Sequence, residues 1–222
     1  LKGCINSSGY PLVVQDPDGT QEDGKSKDNG GNTNFYFLNH AYTWLGGANA
    51  TATNWGTASY WAPASVPGKG SFVTIPAGKS SYPVLTGALT LKYNDSYAGS
   101  ITIENGGKFD LADQDLTVGT ITNKGLVRLT GAVTTSPEHT QTITGKMVNF
   151  AGSTVEYYGT GATTTNFAWD GDSVENGNPS DGKQYANLIL NQDTSSSETL
   201  GISENLTINN SASLSGSVTV GG

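Results

Sequence analysis

Residues 100–118 read SITIENGGKFDLADQDLTV, a stretch with a short strand at each end and turn residues between them. Ile101 and Ile103 alternate with Thr102, so an extended chain here turns both isoleucines to one face and the threonine to the other. The Asn-Gly-Gly run at 105–107 is typical of a turn that ends a strand. The stretch therefore predicts strands that are polar on one face and apolar on the other.

The same pattern of aliphatic, threonine and aliphatic residues recurs along most of the chain at similar but unequal spacings. Strands are predicted at 10–14, 72–75, 88–91, 100–103, 116–118, 126–129, 141–144, 154–157, 188–190, 206–208 and 218–220. No segment of two helical turns has both an apolar stripe and capping residues. The sequence therefore predicts an all-β protein.

Two features favour a right-handed parallel β-helix (solenoid). Repeats of one strand formula at variable spacing are expected when each coil stacks on the preceding one. The last predicted strand is followed only by Gly221 and Gly222, with no closing segment. A β-sandwich also has short strands and frequent turns, so it stays as the alternative.

We expect three parts along the chain. An extended N-terminal segment with an acidic loop covers 1–34, because most of it is too polar to pack unaided. An aromatic N-terminal cap covers 35–70, where eight aromatic residues fall close together and can bury a large area. The solenoid covers 71–222, with an insertion near 160–184.

Composition narrows the functional classes. Only 14% of the 222 residues are charged, against about a quarter in an average soluble protein. The formal net charge of −8 disfavours binding to nucleic acid, whose phosphates an acidic surface repels. No apolar run reaches the roughly 18 residues of a transmembrane helix. These features are typical of an extracellular or cell-surface protein.

Several motifs resemble one family. Tyr42-Thr43-Trp44-Leu45-Gly46-Gly47, the Trp- and Pro-rich run at 60–68, and the later repeats at 153–161, 186–191 and 204–208 carry the resemblance. They are similar to bacterial surface parallel β-helix proteins of the adhesin or passenger type, in which a Trp-rich cap precedes the first coil. The resemblance covers about 42–222 and implies a secreted scaffold. It carries over no catalytic residue.

One acidic run fits a calcium loop. Asp16 and Asp18 precede Gly19, and Glu22 and Asp23 follow it, so oxygen ligands could surround a hard cation where the chain bends tightly. Asp28 is a further ligand candidate. The run lacks the distal glutamate of an EF-hand, and a solvated acidic loop is the alternative reading.

A second acidic cluster consists of Asp110, Asp113 and Asp115. Some polysaccharide lyases and hydrolases with β-helix folds use such residues for calcium or for acid and base catalysis. Those lyases also need a cationic group, and the only arginine, Arg128, sits on a strand where Leu126 and Leu129 suit the core. We therefore expect these carboxylates to make hydrated turns.

The remaining candidates concern ligands and anchoring. Trp44, Trp55, Trp61 and Trp169 could form a platform for sugar rings, but we expect the first three to cap the core and only Trp169 to be the possible glycan contact. Cys4 follows Leu-Lys-Gly, which is similar to the end of a lipoprotein signal and makes it a possible lipidation site. An incidental thiol is the alternative.

We therefore expect an extracellular structural or adhesive module and not an enzyme. Its strand edges would self-associate head to tail into filaments, since unpaired edges promote pairing, or it would bind surface glycans or proteins of a host or matrix. The alternatives are a glycan-binding module and, less favoured, a β-helix polysaccharide lyase or hydrolase. No cofactor is expected beyond the calcium of the acidic loop.

Overall fold

The computed structural model describes residues 4–5, 7, 12–15, 35–38, 40–95, 98–130, 132–133, 139–159, 163–164, 183–196 and 200–221. In these residues the secondary structure is almost entirely strand, and the only helical element is a three-residue 3-10 turn at Ala58–Tyr60. None of the described helical residues forms a segment long and apolar enough to cross a membrane. The all-β prediction is confirmed.

Most strands belong to two large sheets. Sheet A contains, in spatial order, β13 (Ile143–Asn149), β9 (Leu116–Asn123), β7 (Ser100–Ile103), β5 (Phe72–Ile75), β3 (Ala41–Trp44) and β4 (Trp61–Ala62), with β6 (Leu89–Thr90) also pairing with β9. Sheet B contains, in spatial order, β8 (Lys108–Asp110), β10 (Leu126–Leu129), β14 (Thr154–Tyr158), β16 (Lys183–Asn191), β18 (Leu200–Ile208) and β20 (Val218–Val220).

Three smaller sheets complete the described strands. Sheet C contains β15 (Thr163–Thr164), β17 (Thr194–Ser196) and β19 (Ala212–Leu214). β1 (Leu12–Gln15) pairs with β2 (Phe35–Leu38), and β11 (Ala132–Val133) pairs with β12 (His139–Thr140). Among the described strands every pairing is parallel except β3–β4 and β11–β12. The antiparallel sheets that the sandwich alternative requires are therefore not the observed pairing.

Parallel pairing follows from how the chain moves between sheets. From β7 to β14 the strands of sheets A and B alternate along the sequence, and from β14 to β20 the strands of sheets B and C alternate. In both stretches, neighbours within a sheet are therefore joined by a connection that passes through another sheet. In sheet B, for example, β10 pairs with β8 before it and β14 after it. Parallel neighbours need such long connections, because a tight hairpin joins only antiparallel strands.

A single hydrophobic core runs along both sheets. In β7, Ile101 and Ile103 are buried and Thr102 is half-buried, which confirms the predicted alternation. The outward positions are also in register, because Thr43, Thr74, Thr102 and Thr122 follow one another across sheet A. Alternation at period two therefore separates a continuous apolar core from a threonine-lined outer face.

The corner between sheets A and B leaves no space for larger residues. A Cβ atom on Gly125 would lie 2.3 Å from the carbonyl oxygen of Gly107, which is far inside van der Waals contact. Beside it, the buried Asn123 side chain donates a 2.9 Å hydrogen bond to Asn149 Oδ1, 26 residues further on. Successive strands therefore pack backbone against backbone at this corner, with amide side chains bridging the strands.

Some strand predictions were wrong in extent. β13 begins two residues later than predicted and continues to Asn149, and β8 and β3 were not predicted as strands. On β10 the buried residues are Val127 and Leu129, while Leu126 and Arg128 lie on the other face. The expectation that Leu126 suits the core was therefore wrong by one position, because strict alternation from Leu129 places Val127 inside.

Three tryptophans of the predicted aromatic segment form a compact cluster. Trp44 and Trp61 are completely buried, and their ring centroids lie 4.8 Å apart in an edge-to-face arrangement. Trp55 contacts Trp61 at 4.6 Å, and the Trp61 indole donates a 2.8 Å hydrogen bond to the Trp55 carbonyl oxygen. Since β3 is hydrogen-bonded to β5, this cluster continues the core of sheet A.

Candidate functional site

The main concentration of charge among the described residues lies on the outer face of sheet B. Arg128 is in register with Asp110 on β8 and with Glu156 on β14. Its guanidinium donates to Asp110 Oδ2 at 3.0 Å and to Glu156 Oε2 at 2.7 Å. Both carboxylate side chains are only 14% exposed. One arginine therefore connects three adjacent strands.

Two neutral side chains complete this charged network. Tyr158 donates a 2.7 Å hydrogen bond to Asp110 Oδ1, and the Arg128 guanidinium lies 4.0 Å from the centre of its ring, as in a cation–π contact. Asn191 Nδ2 donates to Glu156 Oε1 at 2.5 Å. All four carboxylate oxygens thus accept hydrogen bonds from the protein, so the network holds the sheet together instead of leaving oxygens open for a cation.

The surroundings of Tyr158 and Arg128 raise the pKa of both side chains and so favour their protonated forms. Burial raises the pKa of Tyr158 above its ordinary value, and the hydrogen bond to Asp110 raises it further. Burial alone would lower the pKa of Arg128, but the hydrogen bond and charge of Glu156 and the charge of Asp110 outweigh it and raise the pKa. A protonated tyrosine and a charged arginine are not poised to exchange protons at neutral pH.

An asparagine ladder continues from this network toward the far edge of sheet B. Asn209 Nδ2 donates to Asn191 Oδ1 at 2.5 Å, and Asn205 Nδ2 donates to Asn187 Oδ1 at 2.7 Å. Each pair is 18 residues apart in the sequence. The repeated segment reads NLILN at 187–191 and NLTIN at 205–209. The ladder therefore carries the network to the end of the described sheet.

That end is an open edge, which we define as residues Leu206–Ile208 of β18 together with β19 and β20. β20 pairs with Leu200–Ile202 of β18, and within the described residues Leu206–Ile208 have a strand neighbour on one side only. Ile208 is 44% exposed and Val220 is 50% exposed. The open edge therefore combines unpaired backbone groups with exposed apolar side chains.

The structure separates the three predicted aspartates. Asp110 lies in the charged network, Asp115 accepts a 2.7 Å hydrogen bond from the backbone of Thr142, and Asp113 is exposed and contacts Gln114. In the described part of the chain, no three His, Cys, Asp or Glu residues are grouped so as to hold a metal ion. The expectation of hydrated turns was wrong for Asp110, which is on a strand and ion-paired.

The tryptophan platform is not formed by the three tryptophans of the aromatic segment. Trp44, Trp55 and Trp61 are buried against one another and cannot stack on a sugar ring. Trp169 lies outside the described residues, and its role as a glycan contact stays a prediction. Among the buried side chains of this region is also His40, whose ring packs edge-on against Tyr42 at 4.7 Å.

Other predicted site residues are not tested by the geometry. The calcium ligands Asp16, Asp18, Glu22 and Asp23 lie outside the described residues, as does Asp28. Cys4 is described and half-buried, and its lipidation stays a prediction.

Sequence reasoning missed the charged network and the open edge. Asp110, Arg128 and Glu156 are 18 and 28 residues apart, so only the strand register brings them together. A signal for the open edge was present, because the two Asn-Leu-x-(Ile/Leu)-Asn segments repeat at 18 residues. Comparing such segments directly would have aligned these two strands.

Comparisons with known proteins add no family to these observations. Scans of the chain against protein-family models, curated proteins and solved structures found no match. The fold and the site by themselves define an all-β protein of parallel sheets, with a saturated charged network on one face and an open strand edge.

Proposed function

We propose that this protein is an extracellular structural or adhesive surface module, built as a right-handed parallel β-solenoid, that self-associates through exposed strand edges. The observation that carries the proposal is the set of parallel, in-register strands over one continuous apolar core, with threonine and asparagine rows on the outer faces. The strand edges of such sheets pair readily with further strands.

The solenoid part rests on the parallel register. From β7 onward, strands in one large sheet are joined by connections through another sheet, and such crossovers between parallel strands are almost always right-handed. In β16 and β18 the register partners Asn187 and Asn205 are 18 residues apart, which is one turn of the proposed solenoid. Inward aliphatic rows and outward threonine and asparagine rows are what stacked coils require.

Cross-linking in solution tests this register. In a Cys4→Ser background, the double substitution Thr102→Cys and Thr122→Cys places cysteines on neighbouring parallel strands, about 4.8 Å apart. We expect this pair to form a disulfide readily, because disulfides span Cα distances of about 4.4–6.8 Å.

The matched control changes the partner by two residues. Thr102→Cys with Thr120→Cys sets the cysteines diagonally, beyond the roughly 7 Å that a disulfide can bridge without backbone movement. If the diagonal pair oxidises as fast as the direct pair, the register is wrong and the solenoid proposal fails with it.

The surface location rests on charge and composition. A net charge of −8, few charged residues overall and a single cysteine suit a protein outside the cell. Within this proposal the partners are strand edges and surface glycans or proteins of a host or matrix, and Cys4 is a lipid anchor site. Nucleic acid is not among them.

An antibody against the purified chain tests the location. We expect it to label intact cells of the organism that produces the protein, as strongly as it labels permeabilised ones. Labelling that appears only after permeabilisation would contradict an extracellular module. An intracellular protein of the same cells serves as the control for membrane integrity.

Calcium belongs to the proposal only through the acidic loop. If Asp16, Asp18, Glu22 and Asp23 bind the ion, a chelator lowers the melting temperature of the chain and added calcium restores it, because a ligand that binds only the folded state stabilises it. The variant Asp18→Asn should remove this response. An unchanged melting temperature leaves the loop as a solvated acidic segment.

A further inference from the structure

We infer that Asn49 carries a covalently attached glycan, transferred to its side-chain amide from a sugar that is activated by a phosphate leaving group. The inference goes beyond the proposed function and does not depend on self-association. Residues 49–51 read Asn-Ala-Thr, and Asn-x-Ser/Thr is the acceptor sequence of N-linked glycosylation where a surface loop displays it. The structure adds the loop, the exposure and the hydrogen bonds of the asparagine.

The loop at 47–52 is fixed to the rest of the fold at its base. Gly47 N donates a 2.8 Å hydrogen bond to Ser81 Oγ, and Ser81 Oγ donates a 2.9 Å hydrogen bond to the carbonyl oxygen of Ala52. A Cβ atom on Gly47 would lie only 1.9 Å from Ala52 Cβ, so the two ends of the loop touch. All residues at 48–51 are exposed. The fold therefore closes the base of this loop and displays its tip.

The asparagine at the tip has its amide nitrogen available. Asn49 Oδ1 accepts a 3.1 Å hydrogen bond from Thr51 N and a 2.8 Å hydrogen bond from Thr51 Oγ1, which together form an Asx turn. Both bonds end on the oxygen, and Asn49 Nδ2 has no hydrogen-bond partner among the described residues. The atom that a glycan bonds to is therefore unengaged in an exposed side chain.

The strand asparagines provide a comparison within the same chain. Asn205 and Asn209 begin two further complete Asn-x-Ser/Thr sequences in the described residues. Their amide nitrogens donate to Asn187 Oδ1 at 2.7 Å and to Asn191 Oδ1 at 2.5 Å. A transferase would have to break this asparagine ladder to reach them. Of the three complete sequences in the described part of the chain, the folded protein therefore favours the one at Asn49.

The charge of the loop also suits the donor. A sugar activated by phosphate is anionic, and a chain with a net charge of −8 repels it from most of its surface. The segment 45–58 contains no Asp, Glu, Lys or Arg. The displayed tip therefore lies in a neutral part of the sequence, where the donor meets no local repulsion.

The transfer is a substitution at the anomeric carbon of the sugar. Asn49 Nδ2 forms a bond to that carbon, the bond from the carbon to the phosphate oxygen breaks, and the phosphate group leaves with the electron pair. Nδ2 gives up one proton to a base of the transferase, so nothing is oxidised or reduced. A lipid-linked pyrophosphate and a nucleotide diphosphate share this chemistry as sugar carriers.

Mass spectrometry of the protein purified from the cells that produce it tests the inference. Trypsin releases residues 28–69, in which Asn49 begins the only Asn-x-Ser/Thr sequence, and residues 184–222, which hold those of Asn205 and Asn209. We expect a glycan on the first peptide in most copies and none on the second. An oligosaccharide at Asn49 would indicate a lipid-linked donor, whereas a single sugar would indicate a nucleotide-linked one.

Substitutions in the same cells separate the acceptor sequence from its surroundings. Thr51→Ala removes the hydroxyl group and should abolish the glycan, whereas Thr51→Ser keeps a hydroxyl group and should retain it. Thr53→Ala is the matched control, because it makes the same change two residues further along, outside the acceptor sequence, and should leave the glycan in place. Circular dichroism of each variant checks that it is folded.

Three outcomes would overturn the inference: an unmodified Asn49 in the native protein, a glycan that persists in Thr51→Ala, and occupancy of Asn205 and Asn209 equal to that of Asn49. These results are independent of the antibody experiment. Surface labelling with an unmodified Asn49 would reject only the glycan, and a glycan on a chain that is found only inside the cell would reject only the proposed location.

Discussion

The two ends of the parallel sheets differ in how the outermost strand and the core beneath it are covered. At the end where sheet A begins, the antiparallel strand β4 covers β3, and the tryptophan cluster fills the space beneath it with no exposure at Trp44 or Trp61. At the open edge, no described strand lies beyond Leu206–Ile208, and Ile208 and Val220 stand half in solvent.

The difference shows what a strand edge requires. Strands at both ends alternate polar and apolar residues, but only the tryptophan end has large aromatic side chains over the core. There the Trp44 indole N–H donates a 2.8 Å hydrogen bond to the carbonyl oxygen of Ser81. The open edge has small and uncharged residues that neither cover the core nor repel another strand. The first end therefore shields its core from water, whereas the core-facing side chains of the open edge stay partly hydrated.

The largest difference in the free energy of unfolding is expected between a substitution of Trp61, at the tryptophan end, and one of Val220, at the open edge. Trp61→Ala should lower the free energy of unfolding by about 3–5 kcal/mol, because it removes a fully buried ring and leaves a cavity. Val220→Ala should change it by no more than about 0.5 kcal/mol. Urea unfolding of dilute protein measures both, and similar losses would remove the distinction between the two ends.

The same substitution on neighbouring strands gives the next contrast. Leu188→Ala should lower the free energy of unfolding by about 2–5 kcal/mol, because Leu188 is completely buried. Leu206→Ala, at the register partner in the open edge, should lower it by about 1 kcal/mol, because that side chain is already partly hydrated. A cost at Leu206 equal to that at Leu188 would mean that something covers the edge in the monomer.

Polar substitutions in sheet B should likewise cost more stability in the charged network than in the asparagine ladder at the open edge. Arg128→Met keeps the aliphatic stem but leaves Asp110 and Glu156 without their cation, and we expect a loss of about 1.5–3 kcal/mol. Asn209→Ala, at the open edge, should cost less than about 0.5 kcal/mol. Thermal melts with urea titrations can rank the two, and an Arg128→Met variant as stable as the parent would show that the network adds no stability.

The smallest effect concerns pH. Because the folded protein raises the pKa of Tyr158, the stability from its phenol is fully present below the pKa of an unfolded tyrosine, about 10, and is lost as the pH rises through the folded pKa. Tyr158→Phe should cost about 0.5–1 kcal/mol at neutral pH, a small value because the side chain is half-exposed. The gap to the parent protein should narrow above about pH 10. A gap that widens there would contradict the hydrogen bond to Asp110.

Sequence reasoning succeeded where local patterns were sufficient. The alternation of Ile101, Thr102 and Ile103 predicted the strand and its buried face, because side chains in a strand alternate whatever the neighbouring strand is. It failed by one position at Leu126, since Leu126, Val127 and Leu129 are all aliphatic and the pattern alone does not say which pair faces inward. It also missed β8, where Lys108 and Asp110 flank a single buried phenylalanine.

In the candidate site, too, local sequence patterns did not reveal which residues of different strands meet. Asp110 was predicted to share one role with its acidic neighbours Asp113 and Asp115, yet its partners are Arg128 and Tyr158 on other strands. Trp44, Trp55 and Trp61 were correctly expected to be buried, because aromatic residues so close together share a core.

The sequence by itself determined that the chain is all-β, which residues alternate and where the aromatic residues concentrate, because these properties depend on local periodicity and composition. Only the tertiary structure decided between parallel and antiparallel pairing, and only it showed that Arg128 bridges two carboxylates. Register joins residues 18 to 28 positions apart, and that alignment depends on the length of each connection and the packing of the whole core.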